Sequence, residues 1–334
     1  MTPYLRRAIL ATIAEDGSNV AARLAGQHGV SRQSASVWLG KLKQEGVVAS
    51  SGVGRGVRYR LATLAQVRQV YPRAELHEDR VWSEAIAPAL RDLPANVRDI
   101  WRYAVTEMVN NAIDHSGSEQ VTVELQRDAL NTTVYVADEG EGIFLKIQRA
   151  LNLYDPREAI LELAKGKLTT DPARHTGEGI FFSSKVMDAF DIHSGKLHFM
   201  HDEWGADVLL ERPADASGTL VLMRLANDGG RTLQEVFDQF AAPEEYTFAK
   251  TIVPVRLAQH EGEKLVSRSQ AKRLTMRFER FQTVVLDFDG VEEIGQAFAD
   301  EVFRVFQQAH PATALLPIHM TPAVENMFKR AMRA

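Results

Sequence analysis

Apolar residues in the first 62 positions recur at helical spacing and then alternate with polar ones. The helical stretches cover residues 3–14, 20–25 and 32–44. Gly29 marks a tight turn after the second stretch, and Ser31 is placed to cap the third. Alternation over residues 57–61, after a glycine-rich turn, is typical of a return strand. The pattern predicts helices that pack together, followed by a short hairpin.

The middle of the chain contains a strongly amphipathic stretch, residues 97–115, which predicts a long helix. Glu107 and Asn111 are four residues apart and therefore lie on one helix face. A carboxylate beside a carboxamide can hold a water and a hard cation together. The asparagine oxygen would ligate Mg²⁺, and the glutamate would orient or deprotonate the water.

Two predicted strands follow, at residues 120–125 and 132–137, and the second runs directly into Asp138. A carboxylate at a strand end, followed by alternating glycines, offers an acceptor for an exocyclic amine and lets the backbone approach a flat base. Gly177 and Gly179 open another amphipathic helix, where backbone amides form an anion site suited to phosphate. These residues predict a nucleotide site.

Strand and helix patterns alternate again in the last part of the chain. The predicted strands are 251–257, 283–288 and 313–318, and the predicted helices are 267–281, 297–309 and 322–332. This alternation predicts a small α/β unit.

Charge is distributed unevenly along the 334 residues, a length that suggests two or three domains. The formal net charge is −5, but residues 1–70 carry ten Lys or Arg against three acids, a charge of +7, which leaves −12 for the rest. A basic head on an acidic body indicates a nucleic-acid partner for the first segment only.

Cysteine is absent, which excludes disulfides, thiolate metal sites and a cysteine nucleophile and fits a reducing cytosol. No window approaches the ~20 apolar residues that span a bilayer. The apolar run at residues 8–14 ends at Glu15-Asp16 without a cleavage site. We therefore expect a cytoplasmic protein with no signal peptide and no membrane partner.

The first segment resembles a winged helix-turn-helix DNA-binding domain, with residues 29–36 similar to the turn and start of its recognition helix. The residues that the resemblance places at DNA are Arg32, Gln33, Ser34 and Ser36 from the helix and Arg55, Arg58 and Arg60 from the wing. The helix residues would face base edges or phosphates, and the wing arginines the DNA backbone. A helical module that docks a protein is the alternative.

Four motifs of the middle segment together resemble the N, G1, G2 and G3 boxes of the GHKL ATP-binding fold, which gyrase, histidine kinases and mismatch-repair ATPases share. They are Glu107-x-x-x-Asn111, Asp138-x-Gly140-x-Gly142, Gly177-x-Gly179 and Gly218-Thr219. His115, after the first motif, makes the anti-sigma-factor serine kinase branch the most similar one.

The GHKL resemblance implies roles for the matched residues, with ATP and Mg²⁺ as cofactors. Asn111 would ligate Mg²⁺, Glu107 would act as general base or water positioner, and Asp138 would accept from the adenine amino group. The other implied nucleotide contacts are Gly140, Gly142, Ile143, His175, Thr176, Gly177, Glu178, Gly179, Ile180 and Thr219. Of these, Gly140 and Gly142 would shape the base pocket, and Thr219 would support Asp138 through a water.

Residues 145–176 would be the ATP lid, and its segment 165–170 suits a mobile basic flap. Candidate phosphate contacts are Lys165, Lys167, His175 and Lys185, with a solvated lysine as the alternative for each. Asn110 points about 100° away from Asn111 around the helix and is less suited to Mg²⁺. His115 is either a pocket-edge residue or a core or capping histidine.

The last segment is similar to STAS domains, the anti-sigma-antagonist fold, over residues 284–298. Phosphorylated antagonists carry a serine or threonine in the loop before this helix, but residues 287–299 contain neither. We therefore expect this domain to dock a partner or sense a signal, not to accept phosphate.

The predicted organisation is a multi-domain α+β protein. Its segments are a winged helix-turn-helix (1–62), a linker with some helix (63–80), a GHKL α/β sandwich (81–228), a polar connector (229–246) and a small α/β STAS-like domain (247–334).

The leading functional hypothesis is an ATP-dependent transcriptional regulator in which Mg·ATP controls DNA binding by residues 1–62. The alternative is a protein serine kinase or ATPase that acts on a partner protein. A homodimer and a regulatory protein partner are also expected.

Overall fold

The computed structural model describes residues 1–169, 176–201, 207–241, 247–259 and 263–333. Its first unit consists of α1 (Pro3–Glu15), α2 (Val20–His28), α3 (Arg32–Gln44), β1 (Val48–Ser51) and β2 (Arg58–Leu61). Ser31 caps α3 by accepting from the Ser34 amide, as the sequence predicts. Ile9, Leu24 and Leu42 are buried at the centre of a separate core.

The middle of the chain forms a five-stranded antiparallel sheet in the order β3-β4-β5-β7-β6, with helices packed on one face. Its strands are β3 (Ala65–Pro72), β4 (Gln120–Arg127), β5 (Asn131–Asp138), β6 (Ala189–His201) and β7 (Asp207–Ala226). Its helices are α4 (Glu78–Val81), a π-helical turn (Trp82–Ile86), α5 (Ala87–Leu90), α6 (Ala95–His115), α7 (Ile143–Leu151), α8 (Glu158–Lys165) and α9 (Gly179–Val186). The long helix α6 buries Trp101, Val105 and Met108.

Part of the expected linker, residues 63–80, is a strand of the sheet. Residues 65–72 pair with β4 along the whole of β3, so the prediction of a linker with some helix is wrong there. Burial alternates along β3, with Gln69 half-buried and Val70 exposed. A polar residue on the inner face and an apolar residue on the outer face interrupt the apolar alternation that identifies strands in a sequence.

The last unit contains a parallel sheet in the order β10-β9-β8. Its elements are β8 (Lys250–Pro254), α11 (Arg268–Thr275), β9 (Thr283–Asp287), α12 (Gln296–Ala299), a π-helical stretch (Asp300–Phe306), α13 (Gln307–Ala309), β10 (Ala314–Ile318) and α14 (Pro322–Ala331). Helix α11 ends earlier than the predicted 267–281, because Arg277 adopts a left-handed conformation with φ of 68°.

The middle and last units share one hydrophobic core. The polar connector contains α10 (Leu233–Phe240), which starts at a capping box between Thr232 and Glu235. Phe240 of this helix contacts Phe181 of α9 and Phe248, with ring centroids 5.0 and 6.4 Å away. The two units therefore pack as one body, although the sequence separates them.

The first unit contacts the middle one through the β4–β5 turn. Ala129 and Leu130 pack against its core, and Arg7 pairs with Asp228. Among the described residues, no helix is long and apolar enough to cross a membrane.

Candidate functional site

A cavity of about 260 Å³ lies between α6, the end of β5, the middle of β7, and α7 to α9. Its lining includes most of the residues that the GHKL resemblance implies: Glu107, Asn111, Asp138, Gly142, Ile143, Thr176, Gly177, Gly179, Ile180 and Thr219. His115 also lines it, as the pocket-edge alternative expects, whereas Asn110 is not part of the lining. Residues far apart in the sequence thus meet at one site.

Helix α6 supplies the carboxylate and the carboxamide from one face. The Glu107 carboxylate lies against Gly179 at the start of α9, so close that a Cβ on Gly179 would be 2.0 Å from Glu107 Oε2. Asn111 Nδ2 is buried and has no hydrogen-bond partner among the described residues. Buried amides normally have partners, so this side chain is available to a bound group.

Asp138 ends β5 directly opposite Thr219 of β7. The Gly140 amide donates to Asp138 Oδ1 at 2.9 Å, and the Ile143 amide donates to Thr219 Oγ1 at 3.0 Å. Burial raises the pKa of Asp138, and the backbone amides of Gly140 and Thr219 and the nearby Lys146 charge oppose that rise. The carboxylate is thus fixed in place at the cavity wall.

As pH is lowered, nucleotide affinity is expected to start falling at a higher pH than it would if Asp138 had the ordinary pKa of an aspartate. The ionised Asp138 carboxylate accepts from an amino group more strongly than the protonated acid does, and burial raises its pKa, so protonation sets in at a higher pH than usual. A bound amine donor stabilises the ionised form, hence affinity is full above the raised pKa and is lost as pH falls through it. Titration of an ATP analogue across acidic pH measures this, and Asp138→Asn should flatten that part of the profile.

Two glycines of the cavity wall have positive φ where no Cβ would fit. Gly142 has φ of 88°, and its Cβ would lie 2.5 Å from Ser194 Oγ. Gly177 has φ of 74°, and its Cβ would lie 2.5 Å from the Leu168 backbone. Gly140 does not line the cavity, where it was expected to shape the base pocket. A Cβ added at this position would lie 1.9 Å from the Ser116 carbonyl oxygen.

The loop before α9 brings its first residues to the cavity. Thr176, Gly177 and Gly179 line it. Glu178 does not line it, and burial raises the pKa of its carboxyl, opposed by Lys167 and a hydrogen bond from Thr176. His175 lies outside the described residues. Backbone amides at a helix start favour anions, in agreement with the phosphate site that the sequence predicts.

The expectation of a basic flap is wrong for Lys165 and Lys167. Lys165 is completely buried and pairs with Glu162 at 2.5 Å. Lys167 Nζ donates to the Arg280 carbonyl at 2.9 Å. Both lysines point to the last unit, and neither lines the cavity. Lys185 is also outside the lining, with its ammonium 3.5 Å from His201 Nδ1.

Lys146 lines the cavity although the sequence reasoning did not select it. Its Nζ donates to the His115 carbonyl at 2.6 Å, so this cation lies on the Asp138 side of the site. Ile143, Lys146 and Ile147 share one face of α7 by their spacing. That spacing, directly after the second glycine of Asp138-x-Gly140-x-Gly142, is the signal that could have identified it.

Apolar side chains complete the cavity wall. They are Met108, Ala112, Val136, Ile147, Leu163, Leu168 and Val221. An apolar wall with a few fixed polar groups is typical of small-ligand sites. The donor set fits Mg·ATP: Asp138 accepts from an amine, Asn111 carries a carboxamide oxygen of the kind that Mg²⁺ binds, and the start of α9 favours anions.

The residues expected at DNA lie at the start of α3 and in the β1–β2 hairpin of the first unit. Arg32, Gln33 and Ser36 are exposed at the start of α3, and Arg58 and Arg60 are exposed on β2. Ser34 is half-buried, and its hydroxyl lies 2.9 Å from Ser31 Oγ, so it belongs to the helix cap. The side chain of Arg55 lies outside the described part.

Comparison with known families identifies two parts of the chain. Residues 61–198 match the histidine kinase-like ATPase domain, and residues 270–325 match the STAS-like domain of unknown function (DUF4325). The chain thus contains a GHKL-like ATPase domain, which supports an ATP-dependent activity, and a STAS-like domain. No curated protein matches the chain. The first match begins just before β3, whereas Thr219 lies beyond it and reaches the site through the pairing of β7 with β5.

Proposed function

We propose that the protein is an ATP-dependent regulator in which Mg·ATP in the cavity controls DNA binding by residues 1–62. The observation that carries the proposal is the convergence of Asp138, Asn111 and the Gly177–Gly179 turn on one cavity. This arrangement provides an amine acceptor, a carboxamide oxygen for Mg²⁺ and a helix start for phosphate.

The nucleotide would lie with its base at Asp138 and its phosphates near the start of α9. Asp138 would accept from the adenine amino group, and Thr219 would hold the first turn of α7 against the base through the Ile143 amide. Asn111 would hold Mg²⁺, which neutralises phosphate charge when bound. Glu107 would position a water or accept its proton.

The first unit would bind DNA as a winged helix-turn-helix. Helix α3 presents Arg32 and Gln33 to solvent, and the β1–β2 hairpin presents Arg60. Among the described residues, neither of these arginines forms an ion pair, so both are available to phosphates. The charge of +7 over residues 1–70 favours DNA over a protein as the partner.

ATP would affect DNA binding through the contact between the first two units. Arg7 pairs with Asp228 just beyond β7, the strand that also carries Thr219. Coupling requires that ATP bind two arrangements of these units with different affinity. Measurement of duplex affinity with and without Mg·ATP tests the proposal, and an affinity that nucleotide leaves unchanged would contradict it.

Arg32→Ala and Arg60→Ala are each expected to weaken binding of duplex DNA. Each loses one phosphate or base contact, and each phosphate contact contributes about 0.9 to the slope of log affinity against log salt. Fluorescence anisotropy over a salt series measures both effects. Arg330→Ala, on the exposed face of α14, is the matched control and should leave the slope unchanged. Undetectable or salt-independent binding by the wild type would favour the protein-docking alternative.

The position of Glu107 favours a second candidate function, a protein serine kinase or ATPase. Its carboxylate lies against the first residue of α9, where the terminal phosphate would lie. A base there can activate either a serine hydroxyl or a water. Incubation with γ-labelled ATP separates the candidates: labelled protein indicates a kinase, free phosphate an ATPase, and binding without turnover a pure switch.

A further inference from the structure

Helix α8 of the lid lies between the cavity and the STAS-like domain, and all eight of its residues are buried. Leu163 contributes to the cavity wall, and Leu168 and Thr169 beyond the helix do the same. Glu158, Glu162 and Lys165 contact the other side. The helix therefore contributes both to the cavity wall and to the contact with the STAS-like domain.

A buried ion cluster joins α8 to the STAS-like domain. Lys165 Nζ donates to Glu162 Oε1 at 2.5 Å and to the carbonyls of Arg273 and Met276 at 3.1 and 2.9 Å. Arg277 NH1 donates to Glu162 Oε2 at 2.8 Å. The side chains of Lys165, Glu162 and Arg277 are 0%, 1% and 6% exposed, so water does not screen their charges.

Arg277 also fixes the chain that follows α8. Its NH2 donates to the Gly166 carbonyl at 2.8 Å and to that of Lys167. Arg277 and Lys167 both have positive φ, 68° and 50°. Non-glycine residues adopt this conformation at a cost and persist in it only where their surroundings determine it. The contact between Arg277 and residues 166–167 thus fixes the backbone conformation of both segments.

Weaker contacts surround this cluster. Arg273 pairs with Glu158 at 3.1 Å, and Thr251 of β8 donates to the Lys165 carbonyl at 2.8 Å. The Lys167 ammonium lies over the rings of Phe248 and Phe281, 5.5 and 5.0 Å from their centroids. Together these contacts hold the lid from residue 158 to 167.

We propose that the STAS-like domain positions the ATP lid, with Arg277 as the main positioning residue. The inference rests on the proposed binding of ATP in the cavity. Separation of α8 from residues 273–277 would leave Arg277 without its counter-charge Glu162 and Lys165 without the carbonyls of Arg273 and Met276, so these contacts form or break together. A signal that displaces α11 would therefore release the cavity wall and lower nucleotide affinity, and nucleotide would in turn stabilise α11.

Hydrogen exchange of the wild-type protein with and without Mg·ATP tests the coupling directly. We expect ATP to slow exchange in α8 and also in residues 268–280, which do not line the cavity. Protection of the cavity lining with no change over 268–280 would overturn the positioning role and leave ATP binding intact. Absence of protection anywhere would overturn both proposals.

Arg277→Met is expected to weaken binding of a fluorescent ATP analogue by about tenfold, within the usual range of coupling between sites. Arg277→Lys should recover part of the loss, because it restores the charge beside Glu162. Lys264→Ala removes an exposed ion pair with Glu293 of the same domain and should have no effect. Unchanged affinity in a folded Arg277→Met protein would overturn the proposal, and if that variant does not fold, the wild-type exchange experiment decides.

Discussion

Replacement of Asn111 by alanine is expected to abolish Mg²⁺-dependent ATP binding. The amide is buried at the cavity with Nδ2 unpartnered among the described residues, so its loss removes the proposed metal ligand without breaking a contact in the protein. Loss of groups that merely orient metal ligands costs about 10- to 100-fold, so loss of a ligand should cost at least about a hundredfold. Calorimetry with and without Mg²⁺ measures the change.

The matched control for this prediction is the neighbouring asparagine. Asn110→Ala removes the same amide one residue away, and Asn110 does not line the cavity. It should retain wild-type affinity. Equal losses in both variants, or an Asn111→Ala protein that binds Mg·ATP normally, would show that Asn111 does not hold the metal.

Gly179→Ala is expected to reduce any ATP turnover to the level of Glu107→Ala. A methyl group at residue 179 would lie 2.0 Å from Glu107 Oε2, so the carboxylate must move away from the start of α9. General-base catalysis contributes about 10²- to 10⁴-fold, and loss of position should cost much of that. The fold should persist, because the group displaced is the end of a flexible side chain.

Steady-state release of phosphate, measured beside thermal unfolding, separates catalysis from stability in this variant. Gly26→Ala is the control: it adds the same methyl group in the interior of α2, where nothing lies within 4 Å. It should leave turnover and folding intact. Wild-type turnover in Gly179→Ala would contradict the proposed role of Glu107.

The sequence predicts the cavity well because its motifs depend on local geometry. Glu107 and Asn111 share a face by helix spacing alone, and Gly142 and Gly177 occupy positions where a Cβ would collide with its neighbours. The position of Asp138 at the cavity follows directly from its place at the end of a predicted strand. The place of such residues in the structure can be predicted from a few neighbouring positions in the sequence.

Features set by distant contacts could not be predicted in this way. The strand β3 is specified by pairing with β4, and the half-buried Gln69 and the exposed Val70 interrupt the usual apolar alternation. Lys165 looks like a solvated or phosphate-binding lysine, because the carbonyls of Arg273 and Met276 that it contacts are more than a hundred residues away and Glu162 alone does not predict burial. A charge run in a sequence gives no indication of which charges pair inside the fold.

Calorimetric titration of the wild-type protein with ATP and GTP in the presence of Mg²⁺ tests the central claim most directly. Asp138 is placed to accept from the amino group of adenine, whereas guanine presents a carbonyl oxygen at the corresponding position, which the carboxylate would repel. We predict saturable binding of ATP and much weaker binding of GTP. Absence of ATP binding, or equal binding of both nucleotides, would contradict the account.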